Sequence, residues 1–148
     1  MPAKLELVPG AAGMDGTNPA TQDAQDIIFE GDNADHICGW VKYVSPELRL
    51  LISKILRLGF GYDGAVGTAR FDITVATFDA EGNLTGFTVV PFYVSISNVP
   101  NYIFWGVFDL TNYIHDNDVV VFILMNRNSS NPGDTLNGDI RFFHGYVE

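Results

Sequence analysis

Alternation of apolar and polar positions is the dominant pattern along this chain, and it begins near residue 26. It is clearest over 68–78, where Ala69, Phe71, Ile73 and Val75 fall on one side and Arg70, Asp72 and Thr74 on the other. A period of two is that of a strand with one face buried. Residues 27–29, 36–44, 84–96, 102–110, 119–125 and 139–147 read as further strands, separated by turn-forming runs such as 31–33, 79–83, 97–101 and 116–118. Glycine, asparagine, aspartate and proline favour turns because they tolerate or pre-set the required backbone angles. Seven or eight strands at this spacing predict an all-β sandwich or barrel, and no strand–helix alternation points to a parallel sheet. Pro91 falls inside 84–96 and cannot donate to a ladder, which marks an edge strand, a bulge or a break.

Three stretches depart from simple alternation. Over 48–60 two periods fit. Ser45-Pro46-Glu47 has the N-cap, N1 proline and first-turn acid of a helix, and Leu48, Leu51, Ile52, Ile55 and Leu58 share a helical face. Leu48, Leu50, Ile52, Leu56 and Leu58 also alternate, so a short helix within 46–58 and a strand both remain open. Residues 59–67 hold four glycines and read as a loop. Residues 119–125 and 103–108 are apolar on both parities, Gly106 aside, which predicts strands buried on both faces, those at 103–108 with the help of a neighbour.

Residues 1–25 have a different texture. Apart from Leu5, Leu7 and Val8, which suit one short strand, they hold few large apolar groups and many glycines, prolines and small polar residues. Such a segment buries too little to offset its ordering entropy. The division expected is therefore an extended N-terminal arm over 1–25, able to order on a neighbouring subunit, and a β-sandwich domain over 26–148.

Composition narrows the partners. Of 148 residues, 47% are hydrophobic and 18% charged, with eighteen acids against eight bases for a formal net charge of −10. A field of that sign repels a phosphate backbone and an anionic membrane surface, so neither nucleic acid nor membrane is expected as a partner. The few bases cluster at Lys42, Arg49, Lys54 and Arg57, a patch that suits an acidic neighbour or a solvated face. Cys38 is the only cysteine, which rules out an intrachain disulfide and a multi-cysteine metal site and suits assembly in a reducing cytoplasm. Flanked by Ile37, Gly39 and Trp40, it reads as a small buried hydrophobe.

No catalytic, cofactor or metal signature emerges. His36, His115 and His144 are not at metal-ligand spacing, and neither a nucleophile elbow nor a phosphate-binding loop occurs. His144 alternates with aromatic residues and reads as a core or interface histidine. Asp116 with Asp118, and Asp134 with Asp139, offer oxygens suited to a hard cation, but aspartate in turns ordinarily caps local N–H groups. The chain is therefore expected to be non-enzymatic and to need no cofactor. The aromatics Tyr102, Phe104, Trp105, Phe108, Phe142, Phe143 and Tyr146 suit a sandwich core, a subunit interface or a sugar-binding face.

The C-terminal third carries a resemblance. Residues 118–124 (Asp-Val-Val-Val-Phe-Ile-Leu), then Arg127, a polar loop ending in Asp134-Thr135, then Gly138-Asp139-Ile140 and a closing strand with Gly145 resemble jelly-roll structural proteins of tailed bacteriophages, especially capsid decoration (cement) proteins and related fibre modules. The overlap covers about 30 residues. The resemblance implies a jelly-roll-like sandwich, a homotrimer on the capsid exterior, and the major capsid protein as partner. On that reading the interface is formed by Leu5, Leu7 and Val8 of the arm, by Tyr102, Phe104, Trp105, Phe108 and Phe143, and by Arg127. The alternative is a carbohydrate-binding β-sandwich module of a phage fibre or a secreted protein, which expects Trp105 or Tyr102 at the surface.

Overall fold

The computed structural model describes residues 3–13, 19–23, 26–31 and 35–148. Ten strands follow in order: β1 (Leu5–Leu7), β2 (Thr21–Asp23), β3 (Asp26–Phe29), β4 (Asp35–Tyr43), β5 (Ile55–Tyr62), β6 (Gly67–Asp79), β7 (Leu84–Ile96), β8 (Ile103–Asp109), β9 (Asp118–Asn128) and β10 (Ile140–Val147). One short helix, α1 (Pro46–Leu50), lies between β4 and β5. The six-stranded sheet runs β2-β3-β10-β5-β8, with β1 also pairing β10; the four-stranded sheet runs β4-β9-β6-β7. All of these pairs are antiparallel. From β3 to β10 the chain passes repeatedly from one sheet to the other, and only the β6–β7 hairpin stays within one. This is an all-β, jelly-roll-like sandwich. No helix among the described residues is long and apolar enough to cross a membrane.

The core lies between the sheets and is built by the predicted alternation. Ala69, Phe71, Ile73 and Val75 of β6 are all buried, and Phe71 sits at its centre. Its ring lies 5.0 Å from Phe29 and 5.1 Å from Phe60, and Phe60 in turn lies 5.4 Å from Phe142. Contacts of this kind add to the area that aromatic side chains bury. The β6–β7 hairpin closes on Asp79, whose Oδ1 accepts from the backbone N–H groups of Glu81 and Asn83, with Gly82 at φ 84°. The bond from the Asn83 backbone holds the Asp79 carboxyl below its ordinary range. Pro91 lies on β7, the edge strand of its sheet, where a missing N–H costs no ladder bond.

Several expectations are corrected. The stretch 46–58 is both helix and strand, in series. Ser45 Oγ accepts from Leu48 N at 3.1 Å and starts α1, but only Leu48 of that helix is buried; Leu50 and Ile52 face solvent, and β5 begins at Ile55. Gly59 and Gly61 belong to β5 rather than to a loop. The two-sided apolar strand β9 is central in its sheet, yet its outer face is not covered, and Phe122 is 37% exposed. His144 lies on the outer face rather than in the core. A bulge between Phe142 and His144 resets the alternation, so Phe142 points inward while Phe143, His144 and Tyr146 are only half-buried.

The expected extended arm is docked on this chain's own sheets wherever it is described. Strand β1 pairs with β10 in the register Leu5↔Val147, and Leu5 and Leu7 are buried in the core. Beyond it, Trp40 Nε1 donates to Val8 O at 2.9 Å, Gly13 bridges Gly39, and Ala20 N donates to Ile37 O at 3.0 Å. The segment thus contacts both sheets, and backbone hydrogen bonds supply what its sparse apolar residues do not. Residues 1–2, 14–18 and 24–25 of the expected arm lie outside the described residues.

Phe71→Ala removes the ring shared by these aromatic contacts. The expected loss is about 3–5 kcal/mol of unfolding free energy, read as a lower midpoint in urea at unchanged slope.

Candidate functional site

The residues expected to form an interface separate into three sets, buried, half-buried and exposed. Leu5, Leu7, Phe108 and Arg127 are buried within the single chain, which removes them from an exposed contact surface. Phe104 and Phe143 are half-buried. Val8 is exposed, although its carbonyl is held by Trp40. Tyr102 and Trp105 stand in solvent, 56% and 48% exposed.

Arg127 is an internal clamp. Nε donates to Asp134 Oδ2 and Nη2 to Asp134 Oδ1, both at 3.0 Å; Nη2 also reaches Leu136 O at 2.7 Å. Nη1 donates to Phe29 O at 3.1 Å and to Gly138 O. All five guanidinium donors are therefore used. Asp134 accepts in addition from the backbone of Arg70 at 3.0 Å and of Leu136 at 3.2 Å. The polar loop between β9 and β10 is thereby fixed to the ends of β3 and β6.

The other candidate groups are engaged in local structure. Asp118 is buried and accepts from His115 N at 2.7 Å and from the Thr85 hydroxyl, while Asp116 is exposed. Asp139 Oδ1 accepts from Gly31 N at 3.1 Å. Among the described residues no group of three or more His, Cys, Asp or Glu is placed to hold a metal ion. The basic cluster is divided: Lys54 is buried with Nζ donating to Leu51 O at 2.8 Å and Arg49 Nη1 donates to Asp118 O at 3.0 Å, while Arg57 is exposed and Lys42 half-buried. Cys38 is buried, and desolvation pushes its thiol well above the ordinary range.

Pairing across the six-stranded sheet assembles a site that has no linear signature. Two cross-strand rows on its outer face are Ile103–Gly61–Arg141 and Trp105–Gly59–His144. The middle strand contributes only glycine to both, so side chains from β8 and β10 lean in over β5 and floor a trough along it. The Phe143 ring lies over Gly61, where an added Cβ would come within 2.3 Å of it; Ile103 and Trp105 lean over Gly59, each 3.0 Å from such an atom. At one end Tyr102, Phe143, Arg141, Asp26 and Asn101 line a cleft of about 430 Å³. Arg141 is held there by Asp63 Oδ1, 3.1 Å from Nε, and by Asp26 Oδ2, 2.9 Å from Nη1. Sequence alone placed Gly59 and Gly61 in a loop and missed Asp26, Asp63 and Arg141, because the rows exist only once β5 lies between β8 and β10.

The chain matches no known protein family and no curated protein. Among solved structures, the enzymatically active domain of tailspike protein 4 of bacteriophage CBA120 aligns with a TM-score of 0.46 at 12% identity, over 93% of this chain and 17% of that one.

Two outcomes follow from the buried groups. Asp134→Asn or Arg127→Met leaves one partner of the clamp without its counter-charge, and each is expected to lower stability by about 3–5 kcal/mol in denaturant titration, with faster proteolysis of the loop before β10. Cys38 is expected to resist a thiol reagent at pH 8 in the native protein and to react fully once unfolded in guanidinium.

Proposed function

We propose that this chain is a non-enzymatic virion structural protein that decorates and stabilises a phage capsid as a homotrimer, contacting the major capsid protein from the capsid exterior. One observation carries the reading: the outer face of the four-stranded sheet is apolar and uncovered over the part nearest the β6–β7 turn, its other end carrying the Arg70–Asp72 ion pair. Three rows cross it, Tyr43–Val120–Phe78, Val41–Phe122–Ala76–Phe87 and Gly39–Leu124–Thr74–Val89, and none contains an ionisable group other than the Tyr43 phenol. Tyr43 is 66% and Phe87 64% exposed, with Val41, Leu84 and Val89 also in solvent.

Side chains of this size at about half exposure present on the order of 600 Å² of apolar area, at the upper end of what a monomer leaves uncovered. A stable interface needs about 800 Å² per partner, so this face supplies most of one. A chain of net charge −10 repels its copies unless they meet through a surface free of charge. The three rows meet that condition, which favours a second copy as their cover. The three-fold order and the capsid partner rest on the resemblance of residues 118–145 to decoration proteins. Asp118, Asp134 and Asp139, among the acids with oxygens suited to a cation, serve turns, loops and the clamp, which fits a role in assembly.

Mass photometry of the purified chain is expected to give the mass of three copies at nanomolar to micromolar concentration. Phe87→Glu combined with Val41→Glu places two carboxylates on the face and is expected to yield a folded monomer that no longer sediments with capsids. A wild-type monomer at micromolar concentration, or a trimer indifferent to both substitutions, overturns the reading.

A further inference from the structure

The trough on the opposite sheet has a different chemistry from the apolar face. Its floor and one wall are aromatic: the Phe143 ring over Gly61, the Trp105 indole leaning over Gly59, and Tyr146 5.6 Å from Trp105. Its end is polar, with Arg141 set between two carboxylates and Asn101 at the rim. Asn101 has a left-handed φ of 62°, a conformation asparagine tolerates better than most residues, and it turns the chain into β8 immediately before Tyr102. Tyr102 forms a ridge between the 430 Å³ cleft and a second opening of about 460 Å³ along the free edge of β8, beside Tyr93 and Ser95. Both volumes fall within the roughly 300–1,000 Å³ of small-molecule sites.

We infer that this trough binds a neutral oligosaccharide. A sugar ring has an apolar C–H face and a rim of hydroxyls, and the trough offers a counterpart to each. Exposed Tyr102 and Trp105 present rigid, flat surfaces with few torsions to immobilise. Asp26 and Asp63 keep lone pairs beyond those that Arg141 uses, and can accept from vicinal hydroxyls while Asn101 donates.

Two features separate this ligand from others. The polar end sets one guanidinium against two carboxylates in a chain of net charge −10, which disfavours phosphates, nucleic acid and acidic sugars. The cleft lies over β5, an interior strand paired on both sides, so a peptide cannot bind within it by adding a strand, as it could at the free edge of β8. The inference does not depend on the trimer, although several linked copies would raise the avidity for a repeating glycan.

The test is a glycan array carrying neutral and acidic oligosaccharides, probed with the full chain in its native assembly, followed by calorimetric titration of the hits. Neutral glycans are expected to bind, and Tyr102→Ala and Trp105→Ala are each expected to weaken binding about tenfold or more. Val89→Ser on the other sheet is expected to leave affinity unchanged. Tyr102→Ala removes a side chain that stands in solvent, so it keeps the test valid if Trp105→Ala misfolds; emission from buried Trp40 reports folding in both. Silence of the array to neutral glycans, binding confined to acidic glycans or peptides, or affinity retained in both variants overturns the inference. Mass measured on the same samples keeps the result separate from that for assembly.

Discussion

A single buried guanidinium holds the two ends of this fold together. Arg127 projects inward from the four-stranded sheet and places all five N–H groups on acceptors: the two oxygens of Asp134 and the carbonyls of Phe29, Leu136 and Gly138. A charge withdrawn from water is tolerated only when its partner and its hydrogen bonds are complete. Here they are, and completing them requires β3, β6, β9 and the loop before β10 to be in place together. The clamp therefore couples the register of β10 to the opposite sheet, and β10 in turn carries β1, β3 and β5.

From that frame follows the contrast between the two outer faces. On the four-stranded sheet the outward residues Val41, Tyr43, Phe87, Val89, Val120, Phe122 and Leu124 are large and apolar, so burying them needs a second surface. On the six-stranded sheet the same alternation is interrupted by two glycines on β5 and by the bulge in β10. The two glycines let the Phe143 and Trp105 rings lie low over β5, and the doubled outward position at Phe143 and His144 shapes the face into a trough. One sandwich thus carries a face suited to assembly and a face suited to a small polar ligand, with no residue required to serve both. The N-terminal segment contributes differently from its composition. It contacts both sheets through backbone pairing, which needs no apolar side chains.

Much of this was legible in the chain itself. The alternation over 68–78 determined which side of β6 forms the core, the 79–83 run determined the hairpin, and Pro91 marked an edge strand. Double-sided apolarity at 103–108 and 119–125 was read as burial on both faces, whereas within this chain each strand is buried on one face only, with Trp105 and Phe122 reaching solvent on the other. Local pattern reports how much apolar surface a strand presents, whereas whether the same chain supplies the second covering layer is a matter of topology. The same limit misplaced Arg127 among exposed contacts, since its partners at Phe29 and Asp134 lie 98 and 7 residues away.

What the sequence by itself determined is most of the strands beyond residue 26, the inward face of β6 and the excess of negative charge, because local patterning and composition suffice for each. What only the tertiary structure decided is where each strand sits in its sheet. That placement put Gly59 and Gly61 between Trp105 and Arg141, turned His144 outward by one bulge, and left Phe87 and Val41 facing solvent. Cross-strand neighbours are set by long-range pairing, and a single extra residue in one strand reverses every side chain beyond it.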